Sequence, residues 1–289
     1  MAIIAPIIRP PAEADSFLLQ VTCGCSDNHC TFCGAYLNKP FRMKPVDEIY
    51  SDIAQHARIY PDTRRVFLID GDALIIKNKQ LIPILKKLGK TFPKLVRVSS
   101  YANGYNLTNK SDSDFKELYE HKLRLVYIGL ESGSQEILDY CNKRSSVAEM
   151  VEGVNRLSNQ AIKSSVILLL GLGQKKYSKI HVDQSIKALN KMQPRYLSFL
   201  SLMLIPTTKM DEQRKAGEFE ELSPIELLQE SRDIISGLEM EKTIFRSNHA
   251  SNHLALEARL PRDKDRLLTE LTAAINGESA LRPDFLRGL

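Results

Sequence analysis

The 289-residue sequence predicts an α/β fold built from βαβ units around a parallel sheet. Three observations carry that expectation. Six apolar runs recur along the chain, at 17–21, 65–69, 95–99, 125–130, 165–170 and 196–204. Several are almost continuously apolar instead of alternating, as suits strands covered on both faces. Amphipathic helical stretches separate the runs, so strand and helix alternate.

The elements follow in order. Residues 1–6 are apolar but short and lack a basic leader, so they read as an extended N-terminal arm and not a signal peptide. Helices are expected at 45–59, 79–88, 112–121, 147–157 and 178–192. Val147, Val151, Val154 and Leu157 form a helical stripe, and Asp112 and Ser146 are the expected N-caps. After Ile205-Pro206 the rhythm changes to a helix at 224–240, a strand at 243–246 and a helix at 263–275. Residues 1–215 are therefore expected to form a core with an N-terminal arm. Residues 216–289 form a C-terminal α/β extension packed on it, ending in a loose tail at 281–289.

Composition excludes several classes. Hydrophobic residues make up 43% and charged residues 26%, enough apolar content for a large core and too much for a disordered chain. The net charge of +5 is too mild and dispersed to imply nucleic acid by itself. No apolar stretch approaches the roughly 18 residues needed to cross a membrane. A cytoplasmic protein is expected. There, clustered thiols point to a metal or to redox chemistry, not to disulfides.

The thiols are clustered. Of five cysteines, Cys23, Cys25, Cys30 and Cys33 fall in one window of 11 residues, and only Cys141 lies apart. The window follows the first strand, where loops of parallel α/β folds carry chemistry. Cys25, Cys30 and Cys33 have the spacing C-x4-C-x2-C, with Phe32 before the last. A four-thiolate zinc site is one reading, although four ligands in so short a window are tighter than the usual two separated pairs. An iron–sulfur electron-transfer module is another.

Later strands end in short runs with polar residues, three of them containing glycine. These are Asp70-Gly71-Asp72, Ser99-Ser100-Tyr101-Ala102-Asn103, Gly129-Leu130-Glu131-Ser132-Gly133, Gly171-Leu172-Gly173-Gln174 and Ile205-Pro206-Thr207-Thr208. A Gly permits close backbone approach, and Glu131 is a poor core residue at a strand end. The stretch from Arg246 to His253 is polar except for Ala250 and is read as a substrate-facing loop. Lys39, Arg42 and Lys44 are read as a solvated face first and an anion-binding lid second. Cys141 is read as a core thiol or a hydrogen-atom donor.

The cysteine spacing and the Gly129–Gly133 run together resemble the radical S-adenosylmethionine (radical SAM) superfamily, in its elongator-type and coproporphyrinogen-oxidase-like branches. The resemblance covers roughly residues 15–210. It implies that Cys25, Cys30 and Cys33 hold three irons of a [4Fe–4S] cluster, leaving the fourth for S-adenosylmethionine, in the open-site logic of catalytic metals. By the same resemblance Phe32, Asp70, Gly71, Asp72, Ser99, Glu131, Ser132, Gly171 and Gly173 are expected at the cofactor. Two motifs depart from the family pattern: Asp70-Gly71-Asp72 stands where Gly-Gly-Glu is usual, and Gly171-Leu172-Gly173-Gln174 lacks the usual Pro. Cys141, Arg246 and His249 are candidate catalytic residues. The implied activity is oxidoreductase-type: reductive cleavage of S-adenosylmethionine to a 5′-deoxyadenosyl radical. A one-electron donor such as flavodoxin or ferredoxin is the implied partner. The substrate is a small or tetrapyrrole-like metabolite first, a tRNA base second. The fold expectation as a whole is a partial (β/α)6 TIM-like barrel with a C-terminal α/β extension.

Overall fold

A computed structural model describes residues 3–288. Met1, Ala2 and Leu289, the ends of the expected arm and tail, lie outside the described residues. The chain divides into two compact units. The first comprises the chain up to Asn28, Ala35–Ile128 and Arg156–Ser164, and the second His29–Gly34, Gly129–Asn155 and Ser165 onward.

The first unit runs β1 (Phe17–Gln20), β2 (Thr22–Cys23), β3 (Arg42–Met43), α1 (Val46–Ile59), β4 (Arg65–Ile69), α2 (Asn78–Thr91), β5 (Arg97–Tyr101), α3 (Gly104–Thr108), α4 (Asp112–Glu120) and β6 (Leu123–Glu131). Strands β1, β4, β5 and β6 pair in parallel in that order, with Leu19 beside Leu68, Phe67 beside Ser99 and Ser100 beside Val126. Strands β2 and β3 form a separate antiparallel pair. Helix α1 buries Ile49 and Ile53, one turn apart, and α2 buries Leu81, Leu85 and Leu88, so each presents one apolar stripe. The Phe17 ring of β1 stacks on His56 of α1 at 3.8 Å.

Two local expectations in this unit are corrected or sharpened. Ser111, not Asp112, caps α4: its hydroxyl accepts the Asp114 N–H while Asp114 reaches back to the Ser111 N–H. This reciprocal box satisfies two amides at once, which leaves Asp112 as the first helical residue beside the positive end of the helix. The described part of the N-terminal arm is tied to β1 at Ile4, whose N–H and carbonyl bond the Gln20 amide at 3.0 and 3.1 Å.

The second unit takes up the end of β6 and continues through α5 (Gln135–Tyr140), α6 (Val147–Asn159), β7 (Lys163–Leu170), α7 (Gln174–Met192), β8 (Tyr196–Ser201), α8 (Lys209–Lys215), α9 (Pro224–Gly237), β9 (Thr243–Arg246), β10 (Glu257–Leu260) and α10 (Lys264–Ile275). The end of α6 and the start of β7 belong to the first unit. Strands β7, β8 and β9 pair in parallel, and β10 closes antiparallel on β9. Ser146 caps α6 as expected, accepting the Glu149 N–H at 3.2 Å. Helix α9 packs against α7 and α10.

The last expected strand stops at Ser201, three residues early. Strand β10, four residues that alternate exposed and buried positions, was not expected. The expected loose tail is instead pinned. The Arg282 guanidinium donates to the carbonyls of His249, Ala250 and Asn252 at 3.2, 3.1 and 2.9 Å. Arg287 donates to the Ser251 carbonyl at 2.7 Å. A guanidinium carries five donors in a fixed fork, so one side chain can hold several carbonyls of a turn.

Candidate functional site

In the first unit the site is built on the turn Gly24-Cys25-Ser26 and the end of β4. Gly24 stands at φ +75°, a backbone that L side chains rarely adopt, and a Cβ there would meet the Lys39 carbonyl at 2.4 Å. Its N–H donates to Asp70 Oδ2 at 2.9 Å. Asp70 is fully buried and also receives Gln20 Nε2 at 2.9 Å and Lys39 Nζ at 2.8 Å. Lys39 Nζ donates further to the carbonyls of Ile4 and Pro6, at 2.6 and 2.8 Å. This corrects the solvated-face reading: Lys39 and Lys44 are buried, Lys44 on Asp52 at 2.5 Å, and of the three only Arg42 lies exposed on β3. The cause is tertiary, since buried carboxylates just after β4 and on α1 face the two lysines.

Gly71 follows. Its N–H donates to the Gly24 carbonyl at 3.2 Å, and a Cβ on it would stand 2.8 Å from Cys25 Sγ. Asp72 is fully buried as well. Its Oδ2 accepts from Ser26 Oγ at 2.7 Å and from the amides of Asn103 and Asn106, while Oδ1 has no partner among the described residues. Burial pushes its pKa up to about 6, against the opposing pull of those bonds. The Ser99 hydroxyl on β5 is likewise buried without a partner among the described residues. Cys23 lies apart from the other three clustered thiols in its setting. It lies buried in β2, paired with Arg42, and burial raises its thiol.

In the second unit Cys30 and Cys33 share one turn, the Cys33 N–H donating to the Cys30 carbonyl at 3.1 Å. Between them Thr31 is held from both sides: its N–H donates to the Cys141 carbonyl at 2.9 Å and its carbonyl accepts the Met210 N–H at 3.0 Å. Phe32 packs against the buried cluster of Ile137, Cys141, Leu172, Leu202, Met210 and Phe219. Burial first, and the nearby Glu131 charge second, push the Cys141 thiol up to about 12. Such a thiol stays protonated.

Glu131 ends β6 at φ +60° and faces Lys143 Nζ at 3.6 Å. Burial raises its carboxyl and Lys143 lowers it. Buried Ser132 turns its hydroxyl to His181 Nδ1 at 2.9 Å. After β7, Gly171 stands at φ +82° and donates its N–H to Glu230 Oε1 at 2.7 Å, and Gly173 is the N-cap of α7. The polar stretch from Arg246 to His253 bonds largely to its own unit. Arg246 pairs with Glu257 at 2.7 Å, His249 Nδ1 with Ser251 Oγ at 2.9 Å, and Asn252 bridges the Phe199 carbonyl and Ser201 Oγ. Burial, with Arg282 second, keeps His249 below its ordinary pKa.

Four participants were absent from the expected site: Lys39, Asn106, His181 and Glu230. Glu230 had a signal, an acid on the apolar stripe of a helix. His181 had none, since a lone His in a helix reads as core.

Cys25 belongs to the first unit, and Cys30 and Cys33 to the second. All three are half-buried, whereas Cys23 and Cys141 are buried. Among the described residues no three Cys, His, Asp or Glu side chains already converge as a metal-binding group. The donor set and its surroundings still fit a thiolate-bound cluster. Three half-buried thiols share one loop, Cys25 packs against a residue without a side chain, and an orphaned carboxylate oxygen follows in the next residue.

The family model described as the radical SAM superfamily matches residues 19–181, more than half of the chain. No curated protein matches. Among solved structures, the chain is similar to coproporphyrinogen III oxidase (HemN) from Escherichia coli, a radical SAM enzyme. The likeness has 15% identity and a TM-score of 0.58, over 76% of this chain and 50% of that one. Elp3 from Methanocaldococcus infernus is similar at 14% identity and a TM-score of 0.53, over 92% of this chain and 64% of the other. Methylornithine synthase (PylB) is similar at 12% identity and a TM-score of 0.53, over 78% and 63%. These likenesses show the expected fold, an α/β partial barrel of the TIM-like kind. The chain spans about half the length of the HemN structure. Among the described residues no helix is long and apolar enough to cross a membrane.

Proposed function

Since the chain belongs to the radical SAM superfamily, a superfamily of enzymes, we propose that it binds a [4Fe–4S] cluster through Cys25, Cys30 and Cys33 and cleaves S-adenosylmethionine reductively. Superfamily members typically use this cluster and this cofactor, and they require a reductant and a substrate. The bound groups supply one-electron cleavage of the sulfonium, which yields methionine and a 5′-deoxyadenosyl radical. The observation that carries the reading is the family match across residues 19–181, which contains the loop of three half-buried thiols.

The chain's own residues prepare the site. Asp70 has its carboxylate filled by Gly24, Gln20 and Lys39, so we assign it to shaping the Cys25 turn. Asp72 keeps one oxygen without a partner, and we assign it to the methionine ammonium of the cofactor. Phe32, Gly71, Ser99, Glu131, Ser132, Gly171 and Gly173 complete the cofactor set. Cys141, Arg246 and His249 remain our candidate catalytic residues. We place residues 1–215 as the catalytic core and 216–289 as its extension. The setting proposed is cytoplasmic, with a flavodoxin- or ferredoxin-like donor.

For the substrate we propose a small or tetrapyrrole-like metabolite first and a tRNA base second; salt-dependent retention of tRNA separates the two. The central test is anaerobic iron–sulfur reconstitution followed by reductant and S-adenosylmethionine. Formation of 5′-deoxyadenosine is expected. Cys25→Ala, Cys30→Ala and Cys33→Ala each abolish the cluster, and Cys23→Ala spares it. Absence of 5′-deoxyadenosine, or zinc at full occupancy in anaerobic preparations, overturns the proposal in favour of a zinc-binding module.

A further inference from the structure

We propose that Glu230, which lies beyond the segment matched to the family, is a positioning residue that holds two strand-end loops of the second unit together. The inference rests on the reading above that these loops meet S-adenosylmethionine. Its observation is a buried polar chain. Glu230 on α9 is 2% exposed, and His181 and Ser132 are fully buried. Glu230 Oε1 takes the Gly171 N–H at 2.7 Å, and Oε2 takes the Ser178 hydroxyl at 2.6 Å. Oε1 also faces His181 Nε2 at 3.6 Å, and His181 Nδ1 meets Ser132 Oγ at 2.9 Å.

The proton arrangement follows from the neighbours. Ser132 Oγ accepts the Ser134 N–H at 3.1 Å and keeps a second lone pair, so the nearby carboxylate decides the tautomer: Nε2, 3.6 Å from Glu230 Oε1, favours the proton, and Nδ1 is left to accept from Ser132. The neutral imidazole then carries its proton on Nε2, toward the carboxylate. Burial lowers the His181 pKa and favours that neutral form. A carboxylate buried this deeply is costly unless its oxygens are met, and here a backbone amide, a hydroxyl and an imidazole face it. The amide is the informative one. Gly171 follows Leu170, the last paired residue of β7, so its buried N–H needs an acceptor that the ladder does not provide. Glu230 supplies it, and its charge, 3.6 Å from His181 Nε2 and beyond hydrogen-bond distance, orients the imidazole to which Ser132 is bonded. The loop after β6 and the loop after β7 thus share one carboxylate from the C-terminal extension.

The test compares reconstituted full-length wild type, Glu230→Ala, Glu230→Gln and His181→Ala. Amide hydrogen exchange is read over 129–134 and 168–174, and 5′-deoxyadenosine formation is followed against S-adenosylmethionine concentration. Glu230→Ala exchanges faster in both segments and raises the KM for S-adenosylmethionine about tenfold with kcat nearly unchanged, the scale of one unmade buried hydrogen bond. Glu230→Gln retains an oxygen for the Gly171 N–H and stays close to wild type in both readouts. His181→Ala loosens 129–134 alone, which keeps the proposal decidable should Glu230→Ala fail to fold. Iron content is unchanged in all variants, because no cysteine is touched. Wild-type exchange of Glu230→Ala in either segment, or a fall in kcat at constant KM, overturns the proposal. If wild type itself forms no 5′-deoxyadenosine, the cofactor reading fails, while the exchange data still decide whether Glu230 holds both loops.

Discussion

Gly71 stands so close to Cys25 that a methyl group in its place would meet Sγ at 2.8 Å and Cβ at 2.7 Å. Gly71→Ala therefore has to displace the Cys25 turn. Overpacking of this kind costs about 1–3 kcal/mol, equivalent to a roughly ten- to hundredfold loss in affinity for whatever the thiol binds. Chelator competition for iron after reconstitution measures it. An Ala variant that retains iron as wild type does would show that Cys25 is not a ligand in this position.

The Lys39–Asp70 pair is buried at both ends, 5% and 0% exposed. Lys39→Met leaves an uncompensated carboxylate in the interior, and such losses run about 3–5 kcal/mol. Urea unfolding of the metal-free protein should show that loss. Lys94→Met, which breaks the exposed pair with Asp62, serves as the control and should change stability by under about 1 kcal/mol.

Asp72 makes stability depend on pH. Its folded pKa of about 6 lies above the ordinary 3.8, so the proton is bound more tightly in the folded state. The resulting stability is fully present below 3.8 and is lost as pH rises through about 6. At about 1.4 kcal/mol per unit, the whole effect is at most about 3 kcal/mol. Asp72→Asn should remove this component, so its unfolding free energy falls less than that of wild type between pH 4 and pH 7 (taken as roughly the window of the shift). Parallel curves for the two proteins would refute the assignment.

Thiol reactivity separates the five cysteines. Burial holds Cys141 near a pKa of about 12 and raises Cys23 too. The thiolate is the nucleophile. Alkylation of metal-free native protein, mapped by peptide mass spectrometry, should label Cys25, Cys30 and Cys33 and reach Cys23 and Cys141 only after unfolding.

Arg282 ties three carbonyls of the 249–252 turn. Arg282→Ala leaves them without this donor, at a cost of about 1–3 kcal/mol. Calorimetry should record a lower Tm, and limited proteolysis should cut the C-terminal segment first.

Much of the fold was legible because periodicity reports local burial. The strands at 65–69 and 243–246 and the helix starting at 147 fall where the sequence places them. The misses have physical causes. Helix α3 has five residues, too few to show a helical period. The α4 cap moved by one residue because a Ser111–Asp114 box outcompetes a lone Asp112. The tail at 281–289 looked loose because its anchors are backbone carbonyls, which no side-chain pattern reveals.

The sequence by itself determined the α/β alternation, the C-x4-C-x2-C spacing and the strand-end acids, all of which depend on near neighbours in the chain. The tertiary structure decided which of those acids was already paired. Asp70 and Asp72 flank one glycine and look equivalent as letters, yet one carboxylate is filled by Lys39 from 31 residues away and the other keeps an orphaned oxygen. Cys23 and Cys25 are likewise two residues apart, and only burial in β2 distinguishes the first. Glu230 meets Gly171 across 59 residues. Charge pairing and burial are set by which surfaces pack together, and that is a property of the folded chain, not of its local pattern.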